Sequence, residues 1–284
     1  MHGEHVIVTG ATSGIGKEAA RELVRRGAKV GIIGRNPAKT EGAAAELGVE
    51  EVFIADLAEL DQVRQVAKDV AARWPRLDVL VNNAGINATM RERTSDGLDP
   101  MVATNFLSPF LLTSLLLAPL RAGSPSRVVN VASEAHRFAD RLDPATIRSW
   151  GPATNGLQQN RLYGRTKLAL LLVMQELAER VAGDGIHVSS CCPGLVATNL
   201  AGSESRFTHA STLLARTPLV RRPEQGAAVV VRLASDPAQQ GQTGGFHTST
   251  PGAGLLPRDG RLRDRDLQRR VFAAATELLG LPQP

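Results

Sequence analysis

Short runs of aliphatic and β-branched residues alternate along this chain with longer stretches whose apolar positions recur every three or four residues. Residues 5–9, 29–33, 52–54, 77–81, 127–131 and 186–191 read as strands, and a last short strand follows the glycine-rich turn at 241–245. Residues 14–26, 37–47, 60–74, 100–120, 162–182, 225–233 and 264–279 read as helices. In the third of these, Val63, Val66, Ala67 and Val70 mark one buried face. Asn36 and Pro37 form a helix-start signal, and Pro109 predicts a bend in the helix over 100–120. Regular alternation of strand and helix predicts an α/β fold, a doubly wound parallel sheet covered on both faces by crossover helices. No repeat or linker interrupts it, so residues 1–284 are expected to form a single three-layer domain.

Composition narrows this picture. The chain is 43% hydrophobic but only 4% aromatic, so aliphatic side chains must build the core. No apolar run approaches the roughly 18 residues of a membrane span; the nearest, 106–120, is interrupted by Ser108, Pro109, Thr113, Ser114 and Pro119. Residues 1–4 run straight into the first strand, which predicts no targeting segment. Cys191 and Cys192 are adjacent and suit neither a loop-closing bridge nor a tetrahedral metal site. They read as reduced core thiols, and a cytoplasmic location is expected. The net charge is +5, but the densest basic stretch, 258–270, is broken by Asp259, Asp264 and Asp266. It reads as a solvated helix face rather than a nucleic-acid surface.

Candidate chemistry begins at the first turn. The strand over 5–9 enters Gly10-Ala11-Thr12-Ser13-Gly14-Ile15-Gly16, after which a helix starts. Gly10 permits a tight turn, Gly14 admits backbone to a pyrophosphate, and Gly16 lets helix and sheet approach. The helix N-terminus presents free N–H groups to the phosphates. At the end of the second strand stand Gly34 and Arg35, where NAD-preferring folds commonly carry Asp or Glu. Arg35, followed by Asn36, suits a 2′-phosphate and predicts NADP(H) over NAD(H). Tyr163 and Lys167 lie four apart on a helix and share a face. The ammonium is expected to lower the phenol's pKa and make it a general acid or base. Tyr163 is the chain's single tyrosine, so the pairing is informative. Ser133 follows a strand's C-terminal end, where open α/β sheets place ligands.

The glycine spacing, Gly-x-x-x-Gly-x-Gly, together with Tyr-x-x-x-Lys, resembles the short-chain dehydrogenase/reductase family from about Val6 to Thr198. The resemblance implies a Rossmann-type fold and hydride transfer between a nicotinamide and a carbonyl or alcohol carbon. It implies that Tyr163 moves the proton, that Ser133 orients the substrate oxygen, and that Lys167 also binds the nicotinamide ribose. Asn105 resembles the family's fourth catalytic residue, although Ser108 replaces the usual glycine nearby. Asn82-Asn83-Ala84-Gly85 resembles a family motif that places Asn83, Ala84 and Gly85 at the cofactor. Asp56 and Leu57 resemble the adenine-contacting pair. Pro193, Gly194, Val196 and Thr198 resemble the segment holding the carboxamide. Ser133-Glu134-Ala135-His136-Arg137 and the tail Glu277-Leu278-Leu279-Gly280-Leu281 are most similar to the retinol-dehydrogenase-like branch. His136 is read as a structural or surface residue rather than an extra acid.

These readings converge on an NADP(H)-dependent oxidoreductase acting on a lipophilic aldehyde, ketone or alcohol, without a metal. The rival of another class is an NADP-binding sensor or scaffold with no turnover, but such proteins usually lose the tyrosine or lysine. An epimerase or dehydratase of the same fold would carry Gly-x-x-Gly-x-x-Gly, which is absent here. Two segments are expected to cover the substrate: residues 199–220, and the extended stretch 134–161, whose Leu142, Ile147, Trp150 and Leu157 could build an apolar wall. A homodimer or homotetramer is left open.

Overall fold

A computed structural model describes residues 1–88, 92–196, 221–257 and 259–282. Its sheet has seven parallel strands in the order β3-β2-β1-β4-β5-β6-β7. These are β1 (His5–Thr9), β2 (Lys29–Gly34), β3 (Glu51–Ile54), β4 (Val79–Asn82), β5 (Ser126–Val131), β6 (Ile186–Cys192) and β7 (Phe246–Thr248). The order reverses between β1 and β4, so two strand ends part there and leave a crevice for ligand.

Period-two alternation splits the strand side chains between two cores. Ile7, Ile33, Leu80, Val128 and Val188 face one side, where they meet α3 (Leu60–Arg73), α5 (Ser108–Leu115) and α7 (Gly156–Arg180). Val6, Val8, Ile32, Val79, Val81 and Val129 face the other, against α1 (Gly14–Arg25), α2 (Pro37–Leu47) and α8 (Pro223–Ser235). Both faces are thus covered, as a parallel sheet requires. Asn36 caps α2 by accepting from the Lys39 N–H at 2.9 Å, and Gly48 ends it in the left-handed region at φ 68°.

Three features depart from the sequence reading. The helix expected over 100–120 is segmented into α4 (Pro100–Val102), a π-helical turn (Ala103–Leu107), α5 and α6 (Leu117–Ala122). The irregularity therefore centres on Asn105 and Leu116 rather than on Pro109. Pro109 lies in the first turn of α5, where a missing N–H is tolerated. Second, α7 begins at Gly156, capped by Asn155 accepting from the Gln158 N–H at 3.0 Å, so the end of the stretch 134–161 is helical. Third, Ile147 and Trp150 do not form a substrate wall: both are 2% exposed, and Trp150 stacks on Phe106 at 6.2 Å. Of the other two expected wall residues, Leu142 packs against the core and Leu157 is exposed. The loop expected over 199–220 lies outside the described residues.

The C-terminal helix, α9 (Arg265–Leu279), crosses α7 and completes the first core. Its Phe272 is fully buried, edge-on to Phe110 at 5.2 Å and beneath the Arg180 guanidinium at 4.3 Å. Phe272→Ala should cost about 3–5 kcal/mol through lost burial and a residual cavity. Urea unfolding reads this directly; an unchanged midpoint would mean that α9 is not part of the cooperative core.

Candidate active site

The site is assembled from segments leaving the C-terminal ends of β1, β4, β5 and β6. At β1, Gly10 adopts φ 67°, and a Cβ on Gly16 would stand 2.2 Å from Asn83 Nδ2 and 2.5 Å from the Gly10 carbonyl. Only hydrogen fits there, so α1 sits directly on the turn after β4. Asn83 occupies the junction, donating through Nδ2 to the Thr9 and Gly10 carbonyls at 2.9 and 3.2 Å. Thr9 Oγ1 accepts from the Asn83 and Ala84 N–H groups at 2.9 and 3.0 Å. Sequence reasoning passed over Thr9, since a threonine at a strand end carries no signal of its own.

The start of α1 fits a phosphate group. Its N-cap, Ser13, makes no side-chain cap bond, and Ser13 is exposed beside half-buried Thr12 and Gly14, so first-turn N–H groups are left for a ligand. Ile15 and Val196 approach each other across Gly226, where a Cβ would meet them at 3.2 and 2.8 Å. The phosphate turn and the segment Pro193-Gly194-Leu195-Val196 after β6 therefore face one space. Thr198 lies outside the described residues. At the end of β2, Arg35 is exposed and bonded to no described residue. Asn36 is occupied as the α2 cap. After β3, Asp56 Oδ1 accepts from the Ala58 N–H at 2.9 Å, closing the turn that presents Leu57.

Opposite the phosphate turn lie the expected catalytic residues. Ser133, at the end of β5, stands close enough to the Tyr163 phenol to lower its pKa. Lys167 Nζ lies 5.8 Å from the Tyr163 ring centre and donates to the Val131 carbonyl at 2.8 Å. A Cβ on Gly85 would be 3.4 Å from that ammonium and 3.2 Å from Asn105 Oδ1, so all of these groups meet at one point. Asn105 is fully buried in the π-turn. Its Oδ1 accepts from the Ile86 N–H at 2.8 Å, and its Nδ2 donates to the Ile86 carbonyl and to Thr166 Oγ1 at 2.8 and 3.3 Å. It thereby ties the end of the β4 loop to α7. Ser108, at the position where a glycine was expected, is buried and donates to the Leu57 carbonyl.

The electrostatics reverse one expectation. Burial pushes the Tyr163 phenol up to about 12, only partly offset by the nearby Ser133 hydroxyl, and brings Lys167 down to about 8. Desolvation, not the neighbouring ammonium, sets the direction of the Tyr163 shift.

The comparisons with known proteins agree with this geometry. Residues 4–141 match the family model for short chain dehydrogenase, and residues 146–249 match that for enoyl-(acyl carrier protein) reductase. Human retinol dehydrogenase 14 is 33% identical, over 99% of this chain and 88% of its own length. The chain belongs to the short-chain dehydrogenase family. Human retinol dehydrogenase 13, also 33% identical, is matched over 99% of this chain and 86% of its own length. Among solved structures, an uncharacterised protein from Mycobacterium paratuberculosis is 30% identical with a TM-score of 0.78, covering 100% of this chain and 96% of that one. A short chain dehydrogenase/reductase family protein, 30% identical with a TM-score of 0.69, covers 90% and 99%.

Because Tyr163 is the single tyrosine, phenolate absorbance reports it alone. An acid whose folded pKa is raised keeps its proton as pH rises, so no phenolate should form through the ordinary tyrosine range near ~10. In the unliganded folded protein the transition should be centred at about 12. A transition below the ordinary range would overturn the burial account.

Proposed function

We propose that this protein is an NADP(H)-dependent oxidoreductase acting on the carbonyl or alcohol group of a lipophilic small molecule. The observation that carries the reading is the grouping of Tyr163 with the buried Lys167 ammonium 5.8 Å from its ring, near Ser133 and beside Asn105 and Gly85. A bound nicotinamide supplies or receives the hydride. Tyr163, neutral at physiological pH, donates its phenolic proton to the carbonyl oxygen in reduction and recovers it in oxidation. Ser133 holds that oxygen within reach of the phenol. Lys167 places positive charge beside the phenolate left after transfer and binds the nicotinamide ribose. Asn105 and Gly85 keep the wall of the site in register. Asp56, Leu57, Ala84, Pro193 and Gly194 line the remaining cofactor path.

Preference for NADP(H) is supported at the end of β2. A Cβ on Gly34 would lie 2.4 Å from Thr40 Oγ1 and 3.1 Å from Thr12 Cγ2, so no acidic side chain can occupy the place that would bind a ribose 2′-hydroxyl. Arg35, exposed and unpaired among the described residues, is the cation available to a 2′-phosphate. Lipophilic substrates are supported by exposed Phe138, Leu195, Leu255 and Leu256, which follow the C-terminal ends of β5, β6 and β7. The names of the retinol dehydrogenase relatives point the same way. Residues 199–220 and the exposed part of 134–161 complete the substrate cover in this reading. A cytoplasmic location belongs to it as well, supported by two buried free thiols.

The decisive experiment screens aldehydes, ketones and alcohols for a change in NADPH absorbance. Turnover is expected, and Tyr163→Phe should lower it at least ~100-fold while leaving NADPH affinity intact. Lys167→Ala should weaken both. Tight NADPH binding with no turnover across the panel would make the protein a sensor or scaffold instead.

Calorimetric titration checks the cofactor. Loss of charged hydrogen bonds in Arg35→Ala should weaken NADPH binding by about 10–100-fold and spare NADH. Equal wild-type affinity for both cofactors would refute the preference.

A further inference from the structure

The turn that carries Ser133 is gripped from both ends by a segment far along the chain. A 3-10 turn, Glu134–Phe138, follows Ser133 directly. It lies flush on α7 beside Tyr163, because a Cβ on Gly164 would come within 2.5 Å of the Ala135 carbonyl and 2.9 Å of the Ala139 nitrogen. Its outer side meets Pro257 and the segment 259–261, beyond β7. There the Arg261 fork donates to two carbonyls of the turn, Ala139 at 2.9 Å and His136 at 3.1 Å. Asp259 holds the fork in place, accepting from Arg261 Nη2 at 2.7 Å and from Nε at 3.0 Å. In the reverse direction, Arg137 donates to the Pro257 carbonyl at 2.8 Å while bonded to Glu134 at 2.7 Å.

His136 carries this grip inward to Ser133. Its side chain is fully buried and set edge-on to Phe246 at 5.2 Å. Nδ1 lies 2.9 Å from the Ser133 carbonyl. A carbonyl only accepts, so Nδ1 carries the proton, and in the neutral ring Nε2 keeps a lone pair. Nε2 has no hydrogen-bond partner among the described residues and stands 3.7 Å from Asp259 Oδ2. Burial lowers the pKa of this imidazole, which favours the neutral ring. The ring thus spans the gap between the Asp259 carboxylate and the backbone of the residue whose hydroxyl meets Tyr163.

We propose that Arg261, Asp259 and His136 form a clamp that positions Ser133 against Tyr163, making the segment after β7 part of the substrate-orienting machinery. These are positioning residues: none touches the reacting atoms. The inference rests on the dehydrogenase reading above, because it takes Ser133 as the group that orients the substrate oxygen. Displacement of an orienting group by about 1 Å can cost ~100-fold in rate. Lysine should not substitute for Arg261, since one ammonium lacks the planar fork that reaches two carbonyls and a carboxylate together.

Two measurements on the full-length protein test the clamp. The first is hydrogen exchange across 131–139, which needs no turnover. Arg261→Ala, and Asp259→Asn should the first variant fold poorly, should speed exchange there while NADPH affinity is kept. The second is a double-mutant cycle on kcat. Arg261→Ala and Arg261→Lys should each lower kcat by about 10–100-fold, yet have little further effect once Ser133→Ala is present, because they act through the same hydroxyl. Losses that multiply in the double variant would show a structural role only and overturn the proposal, as would unchanged exchange over 131–139. Should the wild type turn over no carbonyl compound or alcohol, the dehydrogenase reading fails on its own, and the exchange data still decide whether the grip exists.

Discussion

Hydrogen is the only side chain that fits at Gly16, and much of the molecule depends on that constraint. With no Cβ there, α1 settles onto the turn after β4, and the Asn83 amide fits between them to bond the Thr9 and Gly10 carbonyls. That contact bridges β1 and β4 at the point where the strand order reverses. It sets the distance between the phosphate turn and the strand end from which Gly85 reaches Asn105 and Lys167. A larger residue would have to push helix and sheet apart, moving both halves of the proposed cofactor path together.

From that junction, the geometry of the candidate site is passed along by small polar ties rather than by apolar packing. Asn105 connects the β4 loop to Thr166 on α7; Thr166 in turn donates to the Tyr163 carbonyl at 2.8 Å. Ser108 links the π-turn's continuation to the Leu57 carbonyl. Each tie is short-ranged and directional, so the relative placement of Ser133, Tyr163 and Lys167 is held by bonds that tolerate little play. The cost is a heavily desolvated phenol and ammonium.

Much of this arrangement was legible in the sequence where local chemistry decides local structure. The start of α2 was marked by Asn36 and Pro37, and the Tyr163–Lys167 spacing needed only helical periodicity. What escaped notice depends on distant partners. Residues 100–120 read as one helix bent at Pro109, so nothing marks the π-turn that Asn105 makes by bonding Ile86. Ile147 and Trp150 look like loop residues free to meet a ligand, yet Phe106 and the core absorb them. The sign of the Tyr163 pKa shift turns on burial, which a pair of residues four apart does not reveal. Likewise, the alternating charges of 258–270 suggested a solvated face, whereas Asp259 and Arg261 turn inward to His136 and Ala139.

The crossing of α7 by α9 also bears on how the protein is made. Phe110 emerges from the ribosome long before Phe272, the residue that covers it. During synthesis, the nascent sheet and the helices on its first face must persist with that apolar surface uncovered. A premature stop between residues 249 and 264 would release a chain with the seven strands and the Tyr163–Lys167 pair, yet with an open core for chaperones to bind and proteases to clear.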